Sequence, residues 1–136
     1  MTPKAARNYM QQAFITAWAS QTEIALDNQD FDPGDSASPW VRLSIQFNDG
    51  EQASIGGGEG NQLFRTYGFV FVQVFTRRGT ATDANDTLAD TALKIFQGKD
   101  INGIWFKNGR INSVPQGKEK WYQQNVVIEF SFDDIH

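Results

Sequence analysis

The sequence contains no cysteine, and its single histidine, His136, is the last residue. The first absence excludes disulfides, thiol nucleophiles and thiolate metal sites. The second removes Ser-His-Asp and Cys-His constellations and His-bearing zinc sites, because a side chain at a chain end is usually mobile. Any catalysis would rest on carboxylates, lysine or tyrosine. Positive charge is also short: the formal net charge is −4. That argues against a general nucleic-acid binder, which needs a basic footprint. No apolar run approaches the ~20 residues of a membrane span. No apolar core of a secretory signal opens the chain. The expectation is a protein without membrane segments, made in a cytoplasm.

What is present in abundance is aromatic and β-branched residues, and they concentrate in Leu63–Thr76. Side chains two apart share one face of a strand. Phe69, Phe71 and Phe75 therefore point one way, with Gln73 among them, and Val70, Val72 and Val74 point the other. A strand apolar on both faces belongs in the middle of a sheet, covered on both sides. The Arg65-Thr66-Tyr67 end is more polar and is expected to project past the core.

The 136 residues fit a single domain, 1–136. Thr2-Pro3 reads as N-cap and first helical position. Ala6, Met10, Ala13, Phe14, Ala17 and Trp18 then recur at helical spacing, predicting a helix from about Pro3 to Ser20. Glu23–Leu26 is a short strand. Trp40–Phe47 alternates, with Val41, Leu43, Ile45 and Phe47 toward the core. A second helix capped by Thr80 or Thr82 runs to about Gln97, with Ala84, Leu88, Ala92, Ile95 and Phe96 as its stripe. Gly98 follows as the residue that ends it. Asn108-Gly109, between Ile104–Lys107 and Arg110–Asn112, predicts a hairpin. Gly117–Lys120 is a turn, and Trp121–Phe132 is the last strand. The order predicts an α+β fold: a mainly antiparallel sheet of about five strands with two helices packed on one face.

Three stretches carry candidate chemistry. Asp27, Asp30, Asp32 and Asp35 lie in one turn-rich loop. A metal-dependent nuclease would need such carboxylates to converge on ions about 4 Å apart. Counted from Asp30, the loop lacks the glycine and glutamate positions of an EF-hand. Trp40, Trp105 and Trp121 would have to gather around one pocket to bind a small ligand. The Gly-rich stretch Asn48–Gln62 lacks the lysine and Ser/Thr of a phosphate loop, and no helix follows it. It is much longer than the ~2–5 residues that a hairpin needs to reverse. Gly56, Gly57, Gly58, Glu59 and Gly60, with Arg65 and Tyr67 on the adjoining strand, are therefore the candidate assembly interface. No catalytic, cofactor or metal site is expected.

A succession of short motifs runs through the chain in a telling order. Asp27-Asn28 and Phe31-Asp32-Pro33 precede Ser38-Pro39-Trp40-Val41-Arg42. Gln52-Ala53-Ser54-Ile55-Gly56, Arg65-Thr66-Tyr67-Gly68 and Val74-Phe75-Thr76 follow. A helix holding Ala89-Asp90 then ends in Phe96-Gln97-Gly98. This succession, from Ile24 to Gly98, resembles the tail terminator-like proteins of long, non-contractile-tailed bacteriophages. The resemblance implies a subunit without enzymatic activity, one of a hexameric ring on the head-proximal end of the tail tube. Such a ring stops tube polymerisation and offers a surface to the head–tail connector. Its partners would be itself, the tube protein and the connector, with DNA only passing through the channel. Another neck connector or a tail tube subunit would share these traits.

Overall fold

The computed structural model describes residues 1–33, 38–52, 57–60, 62–114 and 120–135. Two helices and six strands follow in the order α1 (Pro3–Trp18), β1 (Glu23–Leu26), β2 (Trp40–Gln52), β3 (Leu63–Arg77), α2 (Asp83–Phe96), β4 (Asp100–Ile101), β5 (Ile104–Val114) and β6 (Trp121–Ile135). They build one sheet in the order β1-β2-β3-β6-β5-β4. The α+β class holds, with six strands where about five were expected. The sheet is mixed, because β1 pairs with β2 in parallel while every other pair is antiparallel.

Helix α1 starts as its sequence dictates. Thr2 Oγ1 accepts from the Ala5 amide at 3.2 Å, and Pro3 fills the position that needs no donor. It ends two residues before the predicted Ser20, because Ala19 and Ser20 both turn to positive φ. Ala6, Met10, Phe14 and Trp18 are fully buried. Phe14 stacks between Trp18 and Phe96, which joins α1 to α2. In α2 Ala92, Ile95 and Phe96 are buried as predicted, but in the first half of the helix the buried stripe lies one residue later than expected. Asn85 and Ala89 are inside, while Ala84 is exposed. The polar Asn85 disguised this face. Its Nδ2 donates to Val74 O, Thr76 Oγ1 and Tyr122 O, so one amide fastens the helix to the facing strands β3 and β6.

Both helices cover the face that carries Val41, Leu43, Ile45, Val70, Val72, Val74, Val126, Ile128, Phe130 and Phe132. β3 lies centrally, as its composition requires, between β2 and β6. Its second face, however, is not sealed as expected. Val70, Val72 and Val74 are fully buried, whereas Phe69 and Phe71 are only half-buried. Both helices lie on the valine side, so among the described residues no helix shields the phenylalanines. Only the Phe75 end of the open face is packed. There Ala25, Trp40, Phe75 and Trp121 form a second cluster, with Phe31 against it.

The hairpin turn falls on a different Asn-Gly dipeptide from the predicted Asn108-Gly109. Asn102-Gly103, both at positive φ, reverse the chain between β4 and β5. Two consecutive positive φ values are what a two-residue hairpin turn requires. Asn108-Gly109 reverses nothing. Ile104–Lys107 and Arg110–Val114 pair with the same strand, β6, and the dipeptide is absorbed as a bulge between Lys107 and Arg110. Leu93 of α2 packs there, 2.5 Å from where a Cβ on Gly109 would sit. The reach of the neighbouring strand thus overrides a strong local turn signal. A matching bulge lies in β2 between Phe47 and Gly50.

Candidate assembly surface

The segment read as one long loop, Asn48–Gln62, begins as strand. β2 continues through its bulge to Gln52, where Gly50, Glu51 and Gln52 pair with Thr66, Arg65 and Phe64. β6 runs on to Ile135 on the other side, beyond the predicted Phe132, and pairs with Leu63–Tyr67. The ends of three strands therefore form an arm, and the N-terminal ammonium of Met1, just before α1, reaches it at Asp134 Oδ1, 2.8 Å away. A chain of side-chain contacts fixes the open face of this arm. Arg65 binds both oxygens of Asp133, Nε–Oδ1 at 2.7 Å and Nη2–Oδ2 at 3.1 Å. Its guanidinium also lies 5.7 Å from the Trp105 ring centre, and Trp105 Nε1 donates to Asp100 at 3.0 Å. Tyr67 donates to Glu51 Oε1 at 2.8 Å. The hydrogen bond with Arg65 holds the Asp133 carboxyl below its ordinary pKa, and the same bond raises that of Arg65. The hydrogen bond to Glu51 raises the Tyr67 phenol, because it favours the protonated form.

The predicted interface residues thus divide. Arg65 and Tyr67 project as expected but are committed to partners within the chain. Gly57, Gly58, Glu59 and Gly60 are exposed at the tip, with Gly58 and Gly60 at positive φ. Gln62 Nε2 donates to Gly58 O at 3.1 Å. Gly56 lies outside the described residues. Sequence reading missed Glu51, Trp105 and Asp133 as partners. Continued alternation past Phe132 would have placed Asp133 on the face of Glu129 and Ser131, but the register with β3 is what sets it beside Arg65.

The other candidates do not converge. Asp27 is a structural anchor: it accepts from Ser44 Oγ at 2.8 Å, from the Ile45 amide at 2.9 Å and from Arg7 at 3.2 Å. It thereby ties α1 and the end of β1 to β2. Asp30 and Asp32 are exposed on the loop beyond it, and Asp35 lies outside the described residues. Among the described residues no three carboxylate or imidazole groups come together to hold a metal ion. Trp40 and Trp121 pack edge to face in the second cluster, 6.1 Å apart, and Trp105 lies on the arm side of β5, so the three tryptophans line no common pocket. A cleft of about 710 Å³ does open beside Trp40, bordered by Thr22, Glu23, Phe31 and Pro39, without the other two. Among the described residues no helix is long and apolar enough to cross a membrane.

The chain is thus a small α+β unit with one sealed face and an arm whose charged groups are paired with one another. The chain belongs to the phage tail terminator protein family, whose model matches residues 4–129. That makes it one of a family of phage tail structural proteins. No curated protein matches it. Several solved structures match the chain; one of them does so over 96% of this chain and 95% of its own, with a TM-score of 0.57 and 15% identity. That likeness shows the fold.

Proposed function

We propose that this chain is the subunit of a hexameric terminator ring that caps the tail tube, stops its polymerisation and presents a surface to the head connector. It works without catalysis or cofactor, in the virion, with DNA passing through the ring's channel. Membership of the tail terminator family carries this reading. The three-stranded arm supports it. An arm that extends past the core adds little to the stability of a lone subunit and offers surface to a neighbour.

Within that function the Gly-rich tip is the assembly element. Several glycines make the tip costly to order. Ordering it only against a neighbour or a tube end keeps premature assembly weak. The test is to replace Ala53–Asn61 with an Asn-Gly turn. The fold should survive, because the paired stretches of β2 up to Gln52 and of β3 from Leu63 are kept, and ring formation and tube capping in electron micrographs should be lost. Normal rings and normal tube lengths would rule out the tip as the assembly element. Absence of rings from the unaltered protein, alone and with tube ends, would count against the terminator reading itself.

A further inference from the structure

Each edge of the sheet is only partly occupied, and the vacant stretches match. On one edge, β1 covers β2 from Trp40 to Leu43, and Asp27 takes the Ile45 amide. Among the described residues, no backbone hydrogen bond from Gln46–Glu51 goes to anything but β3. On the other edge, β4 covers Ile104 and Trp105, and Phe106 bonds to Gly98 and Lys99. Beyond it, Arg110–Val114 pairs with β6 alone among the described residues. Unpaired edges are templates for another strand. They lie on opposite sides of the sheet and at opposite ends of it, so neither can pair with itself and also satisfy the other.

The register makes the match quantitative. Gln46, Phe69, Glu129 and Lys107 form one row across β2, β3, β6 and β5. From that row the vacant part of β2 climbs toward the arm, and the vacant part of β5 descends away from it. β2 and β5 also run antiparallel to one another across the sheet. Sliding a second copy down by six residues sets Gln46 opposite Val114 and Glu51 opposite Arg110. Every vacant position then has a partner, and the slide is even, so side chains keep their face. A slide of four would set Glu51 opposite Lys107 instead. Either slide places the acidic residue of one edge against a basic residue of the other. Six residues are about 20 Å along the strand, and four strands are about 19 Å across. The ratio inclines the strands by about 45°, and a slide of four by about 35°. Closed barrels need a tilt of roughly 35–45°.

We infer that the vacant edge of β2, Gln46–Glu51, pairs antiparallel with the vacant edge of β5, Arg110–Val114, of a second copy of this chain. The joined sheets close into one continuous tilted barrel. The interface is head-to-tail, the type that generates rings when the rotation closes. β1 and β4 set the register, because each blocks the rest of its edge. This inference rests on the ring reading and specifies the contact that builds it.

The chain has no cysteine, so introduced thiols report only on themselves. In the Glu51→Cys/Arg110→Cys protein the two thiols lie on opposite edges of one sheet, too far apart to join within a copy. Mild oxidation should give a ladder of covalent multimers on a non-reducing gel. A mixture of the two single variants should stop at covalent dimers, and neither single variant should cross-link alone. Arg110→Glu should abolish rings in electron micrographs, and Glu51→Lys in the same chain should restore them. Rings that form without cross-links, or a single variant that cross-links with itself, would overturn the edge pairing while leaving the ring intact. Neither rings nor multimers, with the unaltered protein also ringless in the presence of tube ends, would overturn the edge pairing and the ring reading together.

Discussion

Val70 and Phe69 are neighbours on one strand, and their surroundings differ completely. Val70 lies under both helices with no exposed surface, among the rings and branched chains of β2, β6, α1 and α2. Phe69 looks out from the opposite face, half-buried, with the Phe71 ring centre 6.0 Å away. The valine face has the packing of a domain interior. The phenylalanine face is an apolar centre framed by Arg42, Gln46, Gln73 and Asn125. Stability of the lone subunit is thus concentrated on one side of the sheet. The other side carries less of it, since Phe69 and Phe71 are only half-buried.

The largest expected effect tests that division. Phe96→Ala would open a cavity between Phe14 and Phe106 and should cost about 3–5 kcal/mol in urea unfolding. Phe69→Ala should cost less than half as much, since its ring is already partly in water. Equal losses would mean that the open face stabilises the subunit as strongly as the helix face does.

Glycines sharpen the contrast at intermediate scale. A Cβ on Gly68 would meet Gln46 O at 2.2 Å and the Phe130 ring at 2.5 Å. Neither can retreat, so Gly68→Ala should destabilise by about 1–3 kcal/mol. Gly109→Ala meets the flexible end of Leu93 and should cost clearly less. Thermal unfolding of the two variants side by side decides it.

The smallest effect belongs to the arm. Asp133 has a folded-state pKa below its unfolded value, because of Arg65. Its contribution is therefore complete at neutral pH, above the ordinary carboxylate value of about 4. It fades as pH falls through the lower folded value. Asp133→Asn should leave most of the stability intact, as expected for a pair this exposed. It should flatten only the acid end of the stability–pH curve. Tyr67→Phe should act at the other end. The phenol's pKa is raised, so its bond to Glu51 holds below about pH 10 and is lost as pH rises through the folded value. A Tyr67→Phe curve identical to the parent's in alkali would remove that bond from the account.

Local pattern revealed the helices, the central strand and most of the sealed face, because Met10, Phe14, Val72 and Ile128 each follow the period of their own element. It could not reveal what depends on a distant segment. Asn108-Gly109 carries the stronger-looking turn, yet β6 decides that it is a bulge. Asn85 looks like a surface residue until three acceptors, two on β3 and one on β6, surround its amide. Arg65 and Tyr67 were visible as projecting residues, but their partners Asp133 and Glu51 are set by register. The tip glycines were legible only as excess length.

The two bulges, finally, say where this chain can change in length over evolutionary time. β3 and β6 pair without interruption from Leu63–Ile135 to Arg77–Trp121, whereas β2 and β5 each already hold one surplus residue beside the Gln46–Lys107 row. A residue gained or lost at Asn48 or Asn108 alters a kink that exists already. One gained or lost in the middle of β3 or β6 would turn every following side chain to the wrong face, setting valines in water and phenylalanines against helices that have no room for them. Relatives should therefore differ in length within the two outer strands and keep the spacing from Gly68 to Phe75, and from Gln123 to Phe130, unchanged.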